Sequence, residues 1–473
     1  MSNDFTRRDL FSFAAQGLAA TALLDLVSRE TRAAELVRDT RAAHFAPQCT
    51  RVIQIFLCGG MSHLDTFDYK PLLETYHGQP LPSSEKPETF FGKIGLLRKN
   101  DWEFRQRGES GLWVSDLFPH IAEVADELTV IKSMVAESAN HTPATFQANT
   151  GFRLNGFPVI GSWASYGLGC ETDELPAYVV LPDPRGQPAG STINWTNGFL
   201  PARHQGVAFR TKGPPINDLF PPGDFDSAAE QETREFLARL DQRYLDAHPD
   251  NDLAARLKSY ELAAKMQLSI PAVTDLSQET ANTHAAYGLD RAETADFGRS
   301  CLLARRLLEQ GVRYVEIFSG GSFGSPRINW DAHEDMRENH TQEALRVDQP
   351  TATLLRDLRQ RGMLDNTLVL FTTEFGRTPF SQSDPTIVGG GRDHNMYGFS
   401  VWLAGGGVKH GFAHGETDDV GWKSVINPVT WPDFHATVLH LLGIDHERLT
   451  YYHNGIQRRL TNVHGHVVRE ILS

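Results

Sequence analysis

Short apolar runs separated by amphipathic segments are the main feature of the hydrophobic pattern. The first run, residues 51–58 (RVIQIFLC), is rich in β-branched residues and closed by Gly59-Gly60, as expected for a buried parallel strand. Runs of the same kind follow at residues 128–132, 177–181, 313–318, 367–373 and 400–404. Helical periodicity occupies residues 292–310 and 351–361, each followed by a glycine. Strands that alternate with helices predict an α/β fold with a mainly parallel central sheet flanked by helices.

The N-terminal residues 1–43 have the pattern of an export signal followed by a linker. Arg7 and Arg8 precede an apolar run over residues 12–27, which contains an aspartate and is too short and too polar to span a membrane. The twin arginine predicts export by the Tat route to the periplasm or the extracellular space. After signal removal, we expect no integral membrane span. The alternative interpretations are an ordinary amphipathic helix and an export segment that stays attached as an anchor.

Residues 51–473 are long enough for one large α/β domain, in which the polar, helix-rich segment around 227–286 is predicted as a helical insertion. The chain has 59 acidic against 45 basic side chains and a net charge of −14, which argues against nucleic acid or an anionic membrane as the main partner. Four dispersed cysteines exclude a disulfide scaffold and a zinc ribbon. Histidine is unusually common, and eleven of the 19 histidines lie between His333 and His466.

Acidic and imidazole side chains follow several of the predicted strands. In an open parallel sheet, ligands bind beyond the carboxyl ends of the strands, so these side chains are expected to converge. The residues are His63, Asp65 and Asp68 after the first strand, Asp331, His333, Asp335 and His340 after residues 313–318, Glu374 and Arg377 after residues 367–373, and Asp393 and His394 in the next loop. Each motif alone is weak, and together they predict a site at one edge of the sheet.

Mixed carboxylate and imidazole ligands suit a divalent cation. Zinc and manganese accept both ligand types, whereas calcium prefers oxygen ligands alone and is the third option. Two cations about 4 Å apart would clamp both oxygens of a phosphoryl-type transfer, and Arg377 or Arg392 would bind an anionic group. Asp68 is equally interpretable as a cap, and the histidines from His435 onwards as parts of an amphipathic helix and a tail.

The segment 138–151 (SANHTPATFQANTG) has the composition of a helix N-terminus. Pro143 suits the first turn of a helix, and His141 and Thr142 lie just before it. Free N–H groups and the positive end of the helix dipole favour an oxyanion at such a position. A plain capped helix is the alternative interpretation.

Three longer motifs resemble domain-of-unknown-function family 1501, a group of exported, sulfatase-like proteins. They are IFLCGGMSHLDTFDYKP, LDNTLVLFTTEFGRTP with GRDHNMYGFSVWLAGGGVK, and DFHATVLHLLGIDHERLTYYHNGIQRRLT. The resemblance extends from about Val52 to the C-terminus. It implies the alkaline-phosphatase-like α/β fold that phosphatases, sulfatases and phosphomutases share.

The resemblance also implies roles for individual residues. Glu374 resembles the first residue of a metal-binding pair, but Phe375 replaces the second. Asp331 and His333 resemble an aspartate–histidine ligand pair from an earlier strand. The remaining matches are His394 with a late metal-binding histidine, Asp65 with the carboxylate after the first strand, and HTPATFQANTG with the sulfatase nucleophile segment.

The nucleophile segment departs from the sulfatase pattern. His141 stands where the nucleophilic cysteine would be, and no cysteine of this chain begins a C-x-P-x-R motif. Formylglycine therefore cannot form, which excludes classical sulfatase chemistry. A covalent intermediate would use Thr142 or His141, and in the alternative mechanism a metal-bound hydroxide would attack directly.

The sequence thus predicts an exported, metal-dependent hydrolase that acts on phosphate or sulfate esters, with extracellular polymers among the candidate substrates. The catalytic candidates are His141 and Thr142, as nucleophile or transition-state donor, and Arg377, which would orient the anion. The metal-ligand candidates are Asp65, Asp331, His333, Glu374, Asp393 and His394. The alternative is a non-catalytic exported binding or scaffold protein that retains the fold. Phe375 and His141 favour this alternative, and the retained acids and histidines count against it.

Overall fold

A computed structural model of the protein describes residues 43–82, 87–216, 227–247, 262–263, 265–267, 269–321 and 327–473. The predicted export signal lies outside these described residues. Within them, no helix is both long enough and apolar enough to cross a bilayer.

The strands and helices alternate along much of the chain. The strands are β1 (Arg51–Leu57), β2 (Phe104–Arg107), β3 (Leu112–Ser115), β4 (Leu128–Val135), β5 (Tyr178–Leu181), β6 (Val207–Ala208), β7 (Tyr314–Ser319), β8 (Thr367–Thr373), β9 (Gly376–Ser381), β10 (Arg392–Asn395), β11 (Phe399–Gly405), β12 (Phe412–His414), β13 (Glu416–Thr417), β14 (Ser424–Ile426), β15 (Val429–Thr430), β16 (Tyr451–His453) and β17 (Ile456–Arg458). The helices are α1 (Leu72–Thr75), α2 (Pro119–Ala122), α3 (His141–Thr150), α4 (Ile160–Leu168), α5 (Ser227–Ala247), α6 (Ala281–Ala286), α7 (Ala295–Glu309), α8 (Met336–Gln360) and α9 (Trp431–Leu441).

The central sheet has the strand order β12-β4-β11-β8-β1-β7-β5-β6, and β15 also pairs with β4. Strands β8, β1, β7, β5 and β6 run parallel to one another, and β12 and β15 run parallel to β4. Only β11 is antiparallel to both of its neighbours in this sheet. The predicted fold class, a mainly parallel sheet flanked by helices, is therefore confirmed, and each predicted apolar run lies on a strand.

Both faces of the sheet are covered, which explains why β1 is apolar throughout. Side chains alternate between the two faces of a strand. Ile53 and Ile55 pack with α7 and α8 in one core cluster, whereas Val52 and Phe56 pack with α4 and α9 in another. A parallel sheet buried on both sides reads as a continuous hydrophobic run.

The predicted helices also have structural counterparts. The pattern over 292–310 corresponds to α7, and the pattern over 351–361 is the C-terminal part of the longer α8. The predicted insertion around 227–286 contains α5 and α6. Part of that segment lies outside the described residues, so its status as a separate insertion stays a prediction.

Candidate metal centre

The carboxyl ends of three adjacent parallel strands bring the candidate residues to one edge of the sheet. Leu57, the last residue of β1, is in register with Ser319 of β7 and with Thr373 of β8. The segments that leave these strands therefore start side by side. The β9–β10 hairpin adds a further component, because His394 pairs with Arg377 across it.

Four buried side chains meet at this edge: His141, Asp331, His333 and His394. One potential ligand atom from each lies within 4.8 Å of all the others. Asp331 Oδ1 is the common point, at 2.6 Å from His333 Nε2, 3.2 Å from His394 Nε2 and 3.3 Å from His141 Nε2. This is the one such group of histidine, cysteine or acidic side chains among the described residues.

An oxygen acceptor orients each of the three imidazoles through its other ring nitrogen. The pairs are His141 Nδ1 with Glu374 Oε1 at 2.7 Å, His333 Nδ1 with Gln382 Oε1, and His394 Nδ1 with the Ala139 carbonyl at 2.5 Å. Because these oxygens only accept, each Nδ1 is the donor and each Nε2 is turned toward Asp331. Metal-binding histidines are held in this way.

Arginine side chains keep Asp331 ionised. Arg377 Nη2 lies 2.8 Å from Asp331 Oδ1, and Arg327 Nη1 lies 2.7 Å from Oδ2. Burial would raise the pKa of Asp331, but Arg377 and the three histidines outweigh burial and hold this pKa well below its usual range. Burial also lowers the pKa of His394 far below its ordinary value, so its ring is neutral at pH 7, whereas at His141 the contacts with Asp331 and Glu374 outweigh burial and raise the pKa. A carboxylate and a neutral imidazole are the forms that bind cations.

The donor set fits a divalent transition metal. Three imidazole nitrogens and one carboxylate oxygen match the ligand types and number that zinc accepts. Calcium fits less well, because it prefers oxygen ligands alone. Phe375, at the position where the family resemblance implied a second metal ligand, instead packs its ring 4.9 Å from that of His141 and 4.6 Å from that of His394.

Several predicted site residues belong to the cluster or contact it. Asp331, His333 and His394, predicted as ligands, lie together with His141, which was predicted to act in catalysis. Glu374 lies one layer behind, where its Oε1 accepts from His141 and from the Gly59 N–H at 2.8 Å.

Besides Glu374, two further predicted ligands are placed outside the cluster. Asp65 is buried against Arg392, with 3.0 Å between Oδ2 and Nε, and accepts from the Ser62 hydroxyl at 2.6 Å. The Asp393 carboxylate accepts from the backbone N–H groups of Phe91 at 3.0 Å and His394 at 2.7 Å. Both carboxylates thus bind protein groups and hold the surrounding segments in place.

The predicted anion-binding arginine is fully buried. Arg377 donates to the carbonyls of Gly59 and Gly60 as well as to Asp331, so in this structure its guanidinium faces protein groups. Thr142 lies half-buried in the first turn of α3, next to His141, and its N–H donates to the N-cap Asn140 at 3.3 Å.

Sequence reasoning missed four contributors to the site. Arg327 was overlooked although it lies four residues before Asp331, and Gln382 had no sequence signal. Phe90 and Phe91 lie against the rings of His394 and His333. An apolar dipeptide within a polar, proline-containing stretch was a usable signal for these two.

The protein thus has an α/β fold with a mixed, mostly parallel sheet. The buried cluster of three histidines and one aspartate at the carboxyl edge of this sheet is a candidate metal centre. The family model described as "Protein of unknown function (DUF1501)" matches residues 49–472, and the chain belongs to that family. The resemblance drawn from the sequence motifs is thereby confirmed. No curated protein matches the chain significantly.

Solved structures with some similarity include sulfatases and alkaline phosphatase superfamily members. The PsFucS1 sulfatase from Pseudoalteromonas sp. aligns with a TM-score of 0.37 and 12% identity, over 88% of this chain and 72% of its own. An alkaline phosphatase superfamily protein from Vibrio parahaemolyticus aligns with a TM-score of 0.33 and 11% identity, over 86% of this chain and 69% of its own. The C-terminal periplasmic domain of EcEptC from Escherichia coli aligns with a TM-score of 0.37 and 8% identity, over 89% of this chain and 96% of its own. Similarity at this level bears on neither activity nor metal.

Proposed function

We propose that this protein is an exported, zinc-dependent hydrolase of phosphate or sulfate esters. His141, Asp331, His333 and His394 would hold the cation. The observation that carries the proposal is that the Nε2 atoms of three imidazoles converge on one carboxylate oxygen, each ring being oriented by an oxygen acceptor behind it. Two arginines already neutralise Asp331, so charge balance alone does not call for three more imidazoles.

The charge at the centre favours an anionic substrate. Asp331 and Glu374, the two carboxylates that contact the histidine rings, are balanced by Arg327 and Arg377. With a divalent cation bound, the net charge of the centre would therefore be positive. It would stay positive if the nearby Asp393 carboxylate is also counted. The dipole of α3 adds to it, because this helix begins at His141 with its N-terminus at the cluster.

The protein residues have distinct proposed roles around the reacting group. A bound divalent cation would polarise the ester oxygen and lower the pKa of a water molecule that it binds. Arg327, with 42% of its side chain exposed, would bind the anionic group of the substrate. Arg377 would hold Asp331 in position from behind. Thr142, next to His141 at the start of α3, is the proposed nucleophile or transition-state donor.

The location proposed for this chemistry is outside the cytoplasm. Arg7 and Arg8 with the following apolar run support Tat export. Esters on an extracellular polymer are then candidate substrates. A tag placed at the C-terminus, followed in cell fractions with and without the R7K/R8K double change, tests this placement. Retention of the wild-type protein in the cytoplasm would contradict it.

Metal analysis of the purified protein, with assays on phosphomonoesters, phosphodiesters and sulfate esters, tests the function. We expect about one zinc per chain, and we expect His333→Ala and His394→Ala to lose both the metal and the hydrolysis. His435→Gln is the matched control, because His435 is equally buried but its Nε2 contacts the Ala148 carbonyl at 2.8 Å and it is not part of the cluster. The proposal fails if no divalent metal co-purifies and neither zinc nor manganese restores activity.

A non-catalytic binding protein is the second candidate. Phe375 favours it, because a buried phenyl ring occupies the place where the resemblance implied a further ligand. Stoichiometric metal binding without hydrolysis of any tested ester class, together with an anion affinity that depends on the metal, would select this function.

A further inference from the structure

Two exposed phenylalanines border the candidate metal centre. Phe90 is 44% exposed and Phe91 is 52% exposed, although both are large apolar side chains. The Phe90 ring centre lies 5.0 Å from that of His394, and the Phe91 ring centre lies 4.9 Å from that of His333. Each ring therefore covers a proposed metal ligand on one side and faces solvent on the other.

The backbone holds this pair in place. The Phe91 N–H donates to Asp393 Oδ2 at 3.0 Å, one residue from the ligand His394. Further along the same segment, the N–H groups of Gly95 and Arg98 donate to carbonyls of Ser381 and Pro379 at 2.9 and 3.0 Å. The segment is thus bound to the β9–β10 hairpin that supplies His394.

The arrangement of the two rings also suits a ligand. Their centres are 4.9 Å apart with an interplanar angle of 86°, so they present one face and one edge as two sides of an apolar corner. Leaving such a surface in water is unfavourable, and a cyclic group with an apolar face would cover it. Arg327 and the metal-ligand cluster provide the polar part of the same site.

We propose that Phe90 and Phe91 bind the alcohol part of the substrate, so that the substrates are phosphate or sulfate esters of cyclic alcohols. This inference rests on the proposed function and narrows it to one substrate class. Sugar rings and phenols share the required chemistry, since both present an apolar face to an aromatic side chain. Esters of small acyclic alcohols would gain nothing from the pair.

Calorimetric binding of non-hydrolysable analogues to the zinc-loaded full chain tests the inference. The probes are methylphosphonate, phenylphosphonate and the phosphonate analogue of a hexose 6-phosphate, each also as the corresponding sulfonate. We expect at least one cyclic probe to bind about 2- to 10-fold more tightly than the methyl probe. Phe90→Ala and Phe91→Ala should each reduce this preference. Comparison of the phenyl and hexose arms identifies which ring the pair binds.

The control variant is Phe236→Ala, which removes a similarly exposed ring (55%) from α5. This variant should retain the preference of the wild-type protein. Zinc-containing protein that binds cyclic and methyl probes equally, or binds none of them, overturns the role of the phenylalanine pair and leaves the metal centre intact. A preference that persists when both phenylalanines are replaced overturns it as well. Protein that contains no divalent metal and gains no activity with zinc or manganese refutes the proposed function itself.

Discussion

Replacing Glu374 by glutamine removes one negative charge behind the metal centre while preserving side-chain volume. Glu374 is 1% exposed, and its Oε1 accepts from His141 Nδ1 at 2.7 Å, within the range of a charge-assisted hydrogen bond. This bond fixes the ring of His141 so that its Nε2 faces Asp331. The amide of the E374Q variant can still accept there, but without the charge that strengthens the bond and makes the imidazole a better donor to a cation.

The expected loss of metal affinity is that of one perturbed histidine ligand, His141. Removing a partner of this kind weakens metal binding by about 10- to 100-fold, or about 1.4 to 2.7 kcal/mol. Glu374→Ala should cost more in folding stability, because the Gly59 N–H, which donates to Glu374 at 2.8 Å, would also lose its buried acceptor. Such a loss costs about 1 to 3 kcal/mol.

Competition titration of zinc against a chromogenic chelator measures this effect. Asp393→Asn is the matched control: Asp393 is fully buried beside His394 in sequence, but its carboxylate accepts from backbone N–H groups and not from an imidazole. We expect its zinc affinity to change by less than about 3-fold. If E374Q retains wild-type affinity, or if Asp393→Asn loses as much, then the bond to His141 does not set the affinity and the reasoning is refuted.

Three further predictions concern stability. Glu316 is fully buried, and burial raises the pKa of its carboxyl group from 4.5 to about 8. The folded state therefore binds this proton more tightly than the unfolded state does. Relative to the Glu316→Gln variant, the free energy of unfolding should fall by up to about 5 kcal/mol as the pH rises from 4.5 to 8. Urea unfolding of both proteins at several pH values checks this prediction, and an equal pH dependence of the free energy of unfolding in both would contradict it. Asp65→Asn should destabilise the fold by about 3 kcal/mol, because it leaves Arg392 buried without its counter-ion, yet folded protein should keep its zinc. Removing zinc with a chelator should lower the melting temperature, since ligand at 100 times its Kd stabilises by about 2.7 kcal/mol; an unchanged Tm would argue against the site.

Local sequence pattern was enough to predict the layers of the fold. An apolar, β-branched run such as that of β1 can be buried only where both faces of a strand are covered, and that condition defines a parallel sheet between helices. The rule that ligands gather at the carboxyl ends of such strands predicted that Asp331, His333 and His394 lie close together, as they do in the structure, and their role as ligands stays a prediction. These inferences needed only the period of the pattern and the chain direction.

The choice between neighbouring polar residues depended on tertiary structure. Asp393 and His394 are adjacent on β10, where the pairing with β9 is irregular between Arg392 and His394, and the sequence does not reveal which of the two side chains faces the centre. Asp65 follows β1 as a ligand would, but its partner Arg392 comes from 327 positions later in the chain. Arg377 was predicted to bind substrate, and its burial beneath Gly59 and Gly60 became visible only in the folded chain.

By itself, the sequence of this protein determined the fold class, the family and the edge of the sheet at which the polar residues meet, because these follow from periodicity and from motifs read along the chain. Only the tertiary structure decided that His141 joins Asp331, His333 and His394, that Glu374 lies behind them, and that Phe90 and Phe91 cover them. The physical reason is that distances and side-chain directions decide which residues form a ligand set. Contacts between residues far apart in the chain fix both, and no local pattern records them.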